Sequence, residues 1–568
     1  VLVEFDTPGH TTSWGRGQKG ILTECYTNGT KNGKTGPLDP TKENVYTFLE
    51  ELFTEIGNTF PDQYIHLGGD EVDFDCWASN PDINKFMKEK NITNYSKLED
   101  YYMQRVLNIV KKLNKSYIIW EEVFNNGVDL KPDTVVHVWI GSWGTDKEKY
   151  WRPELHNVTS EGYRAILSSC WYLDLISYGS DWKQYYRCEP HSFNAILSSC
   201  WYLDLISYGS DWKQYYRCEP HSFNGTVEQN NLVIGGEAAL WSEYINGANL
   251  ISRTWPRASA TAERLWSPKA MNSTDKAVKR FHKHNCLLIE RGLRLEPNEG
   301  PAHKFYALFA LIQSQAVDGE VDVWPHPQDA TSSPNFLQID STKFVFTDKS
   351  VNKCDLLSDA ITRTKKSGFI QGCARVGATD YKPFYQNSQN FELNANFKGD
   401  LSGIEIDVKS CEKLPHLEMN EKYNLVVDGS ARTARLESDT IWGAIRGLET
   451  FSQLVSNVGQ NQFVINETDI RDFPRFAYRG ILVDTSRHYI PVNVLYENLN
   501  AMAYNKLNVF HWHIVDEQSF PYVSKRFPDL SLKGAYNPET HVYSPQDVQN
   551  VIEYGRQRGI RVLVEFDT

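Results

Sequence analysis

No stretch of the 568 residues approaches the roughly 18 consecutive apolar residues that a membrane span needs, so a membrane bundle is excluded. Basic charge is the minority sign: 59 Lys and Arg stand against 72 Asp and Glu, a net of −13, which argues against nucleic acid as the main partner. No CxxC or HExxH spacing occurs, so the ten cysteines point to a few disulfides, and neither a metal nor a cofactor is expected. With 40% hydrophobic and 23% charged residues the chain is neither disordered nor collagen-like and has material for a sizeable core. What it has in excess is aromatic residues, including 16 Trp and 30 Tyr, which suit a stacking surface.

The length overstates the unique content. Residues 165–194 recur unchanged as 195–224, and VLVEFDT stands both at 1–7 and at 562–568. Solenoid repeats drift and come in threes or more, so an identical pair reads as a recent duplication or an assembly join. The repeated ends read as a circle opened at VLVEFDT. Lys304 to Ala316 (KFYALFALIQSQA) has the basic start, apolar centre and small-residue finish of a secretory signal peptide, with a short buried helix as the alternative. Its position predicts an order beginning near Lys304, running to 568 and continuing through 8 to about 300, which makes the present chain a circular permutation. Sequons at Asn28, Asn91, Asn94, Asn114, Asn157, Asn224, Asn272 and Asn466 predict surface glycans and a lysosomal or secreted protein.

Strand and helix signals alternate. Thr41 can cap a helix with Val45, Phe48, Leu49, Leu52, Phe53 and Ile56 on one face and Gly57 at its end; Ser544-Pro545 opens another that Gly559 stops. Eight strand-like runs are Gly480 to Val483, Val509 to Ile514, Arg561 to Phe566, Tyr64 to Leu67, Ile118 to Trp120, Val135 to Trp139, Ala165 to Ser168 (with its copy from Ala195) and Leu232 to Ile234. Eight strands separated by helices predict an α/β fold of the (β/α)8 TIM-barrel type, circularly permuted, with its site at the carboxyl ends; a doubly wound sheet is the alternative. The expected division is a barrel part over 1–300, a junction over 301–324, a small noncatalytic domain of sheet and helix over 325–470, and the first three barrel strands over 471–568. Two copies of strand seven then compete for one place, and the extra 30 residues have to loop out.

His66-Leu67-Gly68-Gly69-Asp70-Glu71 places two adjacent carboxyls just past a buried strand, after two glycines that permit close backbone approach. Neighbouring carboxyls push their proton affinities apart, so that one stays ionised while the other keeps a proton to donate.

HLGGDE, RGILVDTSRHYIP (479–491), NVFHWHIVDEQSFP (508–521), VEFDTPGH (3–10), WYLDLISYG and GGEAALWSEY (235–244) together resemble the animal β-N-acetylhexosaminidases of glycoside hydrolase family twenty. The resemblance implies Glu71 as the general acid and Asp70 as a charged residue holding the 2-acetamido N–H, so that the substrate's own carbonyl oxygen attacks the anomeric carbon, an exception to the two-carboxylate scheme. It implies Tyr172 or Tyr202 as the hydrogen-bond donor to that oxygen, and a relay in which Asp516 orients His10 against Glu71. It further implies Arg487, Glu243 and Asp174 or Asp204 as binders of sugar hydroxyls, and Trp120, Trp139 and Trp241 as aromatic walls. Disulfides Cys25–Cys76 and Cys354–Cys411 follow from it, while Cys286 is expected to be unpaired and Cys170, Cys188, Cys200 and Cys218 to form local bridges. Arg479 reads as structural. The implied activity is exo-acting release of terminal β-linked N-acetylhexosamine from glycans, by a protein that can form a homodimer; the alternative is an inactive carbohydrate-binding protein.

Overall fold

The computed structural model describes residues 3–12, 14–60, 63–138, 151–167, 195–197, 203, 212–220, 233–297, 321–369, 394–459 and 462–567. Apolar runs bounded by turn residues become the strands of a sheet in which every pairing is parallel: β1 (Val3–Phe5), β2 (Tyr64–His66), β3 (Ser116–Trp120), β4 (Val135–Val138), β5 (Arg164–Leu167), β6 (Ala195–Leu197), β7 (Val233–Leu240), β8 (Tyr478–Asp484), β9 (Val509–Val515) and β10 (Arg561–Phe566). Their order is β5-β4-β3-β2-β1-β10-β9-β8-β7-β6. The sheet curls until its two edge strands, β5 and β6, come within 8 Å of each other. β8 is buried along its whole length, as expected for a parallel strand covered on both faces.

The eight expected strands are therefore ten. Both copies of each repeat find a place: β10 and β1 lie side by side with identical residues in register, Val564 on Val3, Glu565 on Glu4 and Phe566 on Phe5, and the two copies of the AIL strand form opposite edges. The expected competition does not occur: the sheet widens by two strands, so that both copies of each repeat are paired.

Helices cover the outer face. Glu43–Thr59 buries Val45, Tyr46, Phe48, Leu49, Leu52, Phe53 and Ile56, each fully buried Leu or Phe contributing about 1.5–3 kcal/mol. Its N-cap is Lys42, not Thr41, whose hydroxyl instead donates to Asp39, and the helix runs through Gly57. Pro545–Arg556 opens on a capping box between Ser544 and Asp547.

The remaining sheet has the order Val345–Asp348, Gly403–Ser410, Thr433–Thr440, Tyr423–Asp428, Gln462–Asp472, Asp329–Asp340, Phe397–Asp400, with Ser456–Gly459 paired to Gln462–Asp472. Helices Ile441–Leu454 and Asp355–Gly368 pack on it around Leu425, Leu436, Trp442 and Phe451. Arg479 on β8 joins the two sheets: its guanidinium donates both ways to Glu421, which also accepts from Arg446.

The disulfides Cys25–Cys76 and Cys354–Cys411 are present. Cys286, buried on the helix Thr274–Glu290, is disulfide-bonded and not free, as is Cys218. Cys170, Cys188, Cys200 and Cys373 lie outside the described residues, as does Lys304 to Ala316. No helix among the described residues is long and apolar enough to cross a membrane. Asn28, Asn91, Asn94, Asn114, Asn157 and Asn272 are exposed. Asn466 is half-buried in a strand with its amide nitrogen donating to the Ser333 carbonyl, a poor glycan acceptor, and Asn224 lies outside the described residues.

Candidate active site

After β2 the chain turns through Gly68 (φ +63°) and Gly69 (φ +99°). A Cβ at Gly68 would lie 2.1 Å from Asp6 Oδ1, and one at Gly69 2.2 Å from Val123 Cγ2, so neither position tolerates a side chain. The Gly69 N–H donates to Asp6 Oδ1 (2.7 Å), and the Trp120 N–H to the Gly68 carbonyl (3.0 Å). The turn delivers Asp70 with a buried carboxyl and Glu71 with its side chain open to the mouth of the sheet (55% exposed).

Asp6, which follows β1, lies against Asp70 with the two carboxyls in hydrogen-bonding reach. Burial, then the neighbouring charge of Asp567, pushes Asp6 up to about 8. Burial, then the charge of Asp6, holds Asp70 well above the usual carboxylate range. Asp70 is thus one member of a pair, because Asp6 reaches the same pocket. Asp70 Oδ1 is buried and finds no hydrogen-bond donor among the described residues.

His10 follows the same strand, with Nε2 3.5 Å from Glu71 Oε2 and 3.9 Å from Asp6 Oδ2. Asp516 is engaged elsewhere: His513 Nε2 lies 2.8 Å and Arg487 2.9 Å from its Oδ2. The expected Asp516–His10 relay is replaced by these pairings, since β10 stands between the strands that lead to the two residues. Asp567, the copy of Asp6, fills that gap; burial, then the charge of Asp516, pushes it up to about 7.

Arg487 is fixed by three carboxylates, Asp484 (3.1 Å), Asp516 (2.9 Å) and Glu243 (3.6 Å), and its guanidinium lies 5.1 Å from the Trp241 ring. Trp241 in turn meets His513 at 4.9 Å, and Trp120 meets His137 at 4.0 Å. Beneath them runs a buried ladder in which Glu565 bridges His511 (3.0 Å) and His513 (2.7 Å), and His511 also meets Glu237 (2.9 Å). Although burial opposes it, Glu237 and Glu565 drive His511 up to about 10. Asp6, His10 and Asp70 bring three donor atoms within 4.8 Å, as do His513, Asp516 and Asp567. Both clusters are accounted for by the pairings above.

The structure thus gathers Asp70, Glu71 and His10 at one place and Arg487, Glu243, Trp241 and Asp516 at another on the same face, with Trp120 behind the acid loop. Trp139, Tyr172, Tyr202, Asp174 and Asp204 lie outside the described residues. Sequence reasoning passed over Asp6 and Asp484, although both stand inside the quoted motifs VEFDTPGH and RGILVDTSRHYIP. It also passed over Glu122, two residues after Trp120.

Residues 1–269 and 476–568 match the model of the glycosyl hydrolase family 20 catalytic domain, which is well over half of the chain. The chain belongs to family 20. A second model, beta-acetyl hexosaminidase like, matches 323–454 and so covers much of the smaller sheet. The family 20 chain is 47% identical over 298 residues to beta-hexosaminidase subunit beta of Mus musculus, covering 52% of this chain and 49% of that protein. It is 46% identical to the Homo sapiens subunit beta, covering 52% and 47%. The chain therefore spans about half the length of the curated relatives it matches. Among solved structures, the Flavobacterium johnsoniae chitobiase is 28% identical with a TM-score of 0.34, covering 43% of this chain and 34% of that one; nothing further rests on that superposition.

Proposed function

We propose that this family 20 chain is an exo-β-N-acetylhexosaminidase that removes terminal β-linked N-acetylglucosamine or N-acetylgalactosamine from glycoconjugates, in a lysosomal or secreted setting. The observation that carries the reading is the orphaned Asp70 Oδ1, a buried acceptor beside an accessible Glu71. An unsatisfied buried carboxylate oxygen costs about 1–3 kcal/mol, and an acetamido N–H would satisfy it.

In this mechanism Glu71 donates its proton to the glycosidic oxygen as the C1–O bond breaks. The acetamido carbonyl oxygen, aligned by the N–H bond to Asp70, attacks C1 and forms an oxazolinium ion, which negative charge on the Asp6 and Asp70 carboxyls stabilises. Water then adds to C1 as the oxazolinium C1–O bond opens and the acetamido group re-forms, Glu71 takes the water's proton, and the sugar leaves with retained configuration. Either Tyr172 or Tyr202 donates to the acetamido oxygen, and Asp174 or Asp204 joins Arg487 and Glu243 in holding the hydroxyls. The Asp-Leu pair of WYLDL, with no basic residue, favours neutral over 6-sulfated sugars.

The test is release of chromophore from an aryl β-N-acetylglucosaminide, with Glu71→Gln as control. Turnover by the wild type and loss of at least roughly 100-fold in the variant support the reading. Sugar binding without turnover by the wild type would instead establish a carbohydrate-binding protein.

A further inference from the structure

One helical turn templates the acid loop. Trp120 donates its N–H to the Gly68 carbonyl, Val123 packs where a Gly69 side chain would be, and between them Glu122 Oε2 accepts the Glu71 N–H at 2.6 Å. Glu71 needs such a hold, because its φ of +48° lies in the left-handed region, which costs a residue with a Cβ on the order of 1–2 kcal/mol. Glu122 stands in the first turn of the short helix Glu121–Asn125, half-buried, and its own carboxyl is pushed upward by burial against the pull of the Glu71 N–H. The ionisable groups around it are Glu71, His10, Asp6, Asp70 and Glu99. No cation within salt-bridge reach competes for the carboxylate among the described residues.

We propose that Glu122 is a positioning residue for the general acid, its carboxylate holding the Glu71 backbone in the left-handed turn that points the acid at the glycosidic oxygen. The inference rests on the hydrolase reading above and deepens it. Aim matters only to the extent that leaving-group departure needs a proton. Loss of the hold should therefore injure hydrolysis of poor leaving groups and spare activated ones, a pattern that mere destabilisation does not produce.

The experiment measures kcat and KM of the full chain and of Glu122→Ala, Glu122→Gln and Glu71→Gln on an alkyl and a nitrophenyl β-N-acetylglucosaminide. Glu122→Ala is expected to lose roughly 100-fold in kcat on the alkyl glycoside and under about threefold on the nitrophenyl one, with KM unchanged. Glu122→Gln, which keeps an acceptor oxygen, should stay within about threefold of wild type on both. In a Glu71→Gln background Glu122→Ala should add nothing, since the two act as a unit. Equal losses on both substrates, or additive losses in the double variant, overturn the proposal. If Glu122→Ala does not fold, Glu122→Asp decides by the same selectivity, because its shortened reach misplaces the acceptor. A wild type inert on both substrates overturns the hydrolase reading and this role with it, whereas an active wild type with an unimpaired Glu122→Ala overturns this role alone.

Discussion

Replacing Glu421 by Gln should be among the most destabilising single changes in the chain. Its carboxylate accepts two bonds from Arg479, each 2.6 Å, and one from Arg446 at 2.8 Å, and the three side chains are 1%, 0% and 1% exposed. Arg446 also donates to the carbonyls of Leu507, Arg558 and Gly559, so the cluster ties the smaller sheet and its helix to the amino ends of the barrel strands. Burial already holds Arg479 below its usual value, with Glu421 working against that shift. Glutamine keeps the volume and one acceptor but takes away the carboxylate charge that both buried guanidiniums share, leaving only the more distant Asp472 to offset Arg479. Breaking a buried ion pair from one side costs about 3–5 kcal/mol, or roughly 150- to 5,000-fold in the folded-to-unfolded ratio. Urea unfolding followed by tryptophan fluorescence measures it. Lys409→Ala, which removes an exposed partner of Asp439, is the control and should leave the midpoint unchanged. Replacing Glu421, Arg446 and Arg479 together by apolar residues of similar volume strands no charge but takes the donors from buried carbonyls such as those of Leu507, Gly559 and Lys506, so it should recover only part of the loss. A Glu421→Gln midpoint equal to the control would refute the reasoning.

Three other outcomes follow from the geometry. Asp567, Asp6, Glu99 and His511 are raised to about 7, 8, 8 and 10, so above pH 6.5 the native state holds protons that the unfolded chain has lost. The melting temperature should therefore fall from pH 6.5 to pH 9, and a rise across that window would contradict the assignments. Below it, His66, pushed down to about 3 by burial, works in the opposite sense. Cys25 and Cys76 close a loop of 51 residues; in the chain-entropy picture their replacement by serine costs about 4 kcal/mol, read from urea midpoints, and a change under about 1 kcal/mol would show that the loop stays ordered when unfolded. Arg487→Lys offers one point charge where three carboxylates each meet a separate nitrogen. KM for the aryl substrate should rise roughly tenfold or more, and an unchanged KM would remove Arg487 from the binding site.

The barrel strands were legible because each is a short apolar run with a turn signal at its end; β9 and β10 fall within a residue of their expected limits. Thr433–Thr440 shows why the smaller sheet reads less sharply: it alternates buried and exposed residues, so only half of it carries an apolar signal. The number of strands was not legible. Identical copies have identical propensities, and whether both enter the sheet depends on the edges left open by the rest of the fold. The acid loop was readable from its two glycines, whereas the residues that tune it were not, since Asp6 and Glu122 stand 63 and 51 residues from their hydrogen-bond partners Gly69 and Glu71. The Asp516–His10 pairing failed for the same reason as the strand count: an additional copy changed which strands are neighbours.

The central claim is that Asp70 and Glu71 hydrolyse glycosides with help from the substrate's own acetamido group. The most direct measurement compares kcat for an aryl β-N-acetylglucosaminide with kcat for its N-trifluoroacetyl analogue, whose carbonyl oxygen is a much weaker nucleophile. Participation predicts that fluorination lowers kcat by at least roughly 100-fold, since it weakens the group that attacks in the transition state. Equal rates on the two substrates, or no hydrolysis of either, would contradict the account.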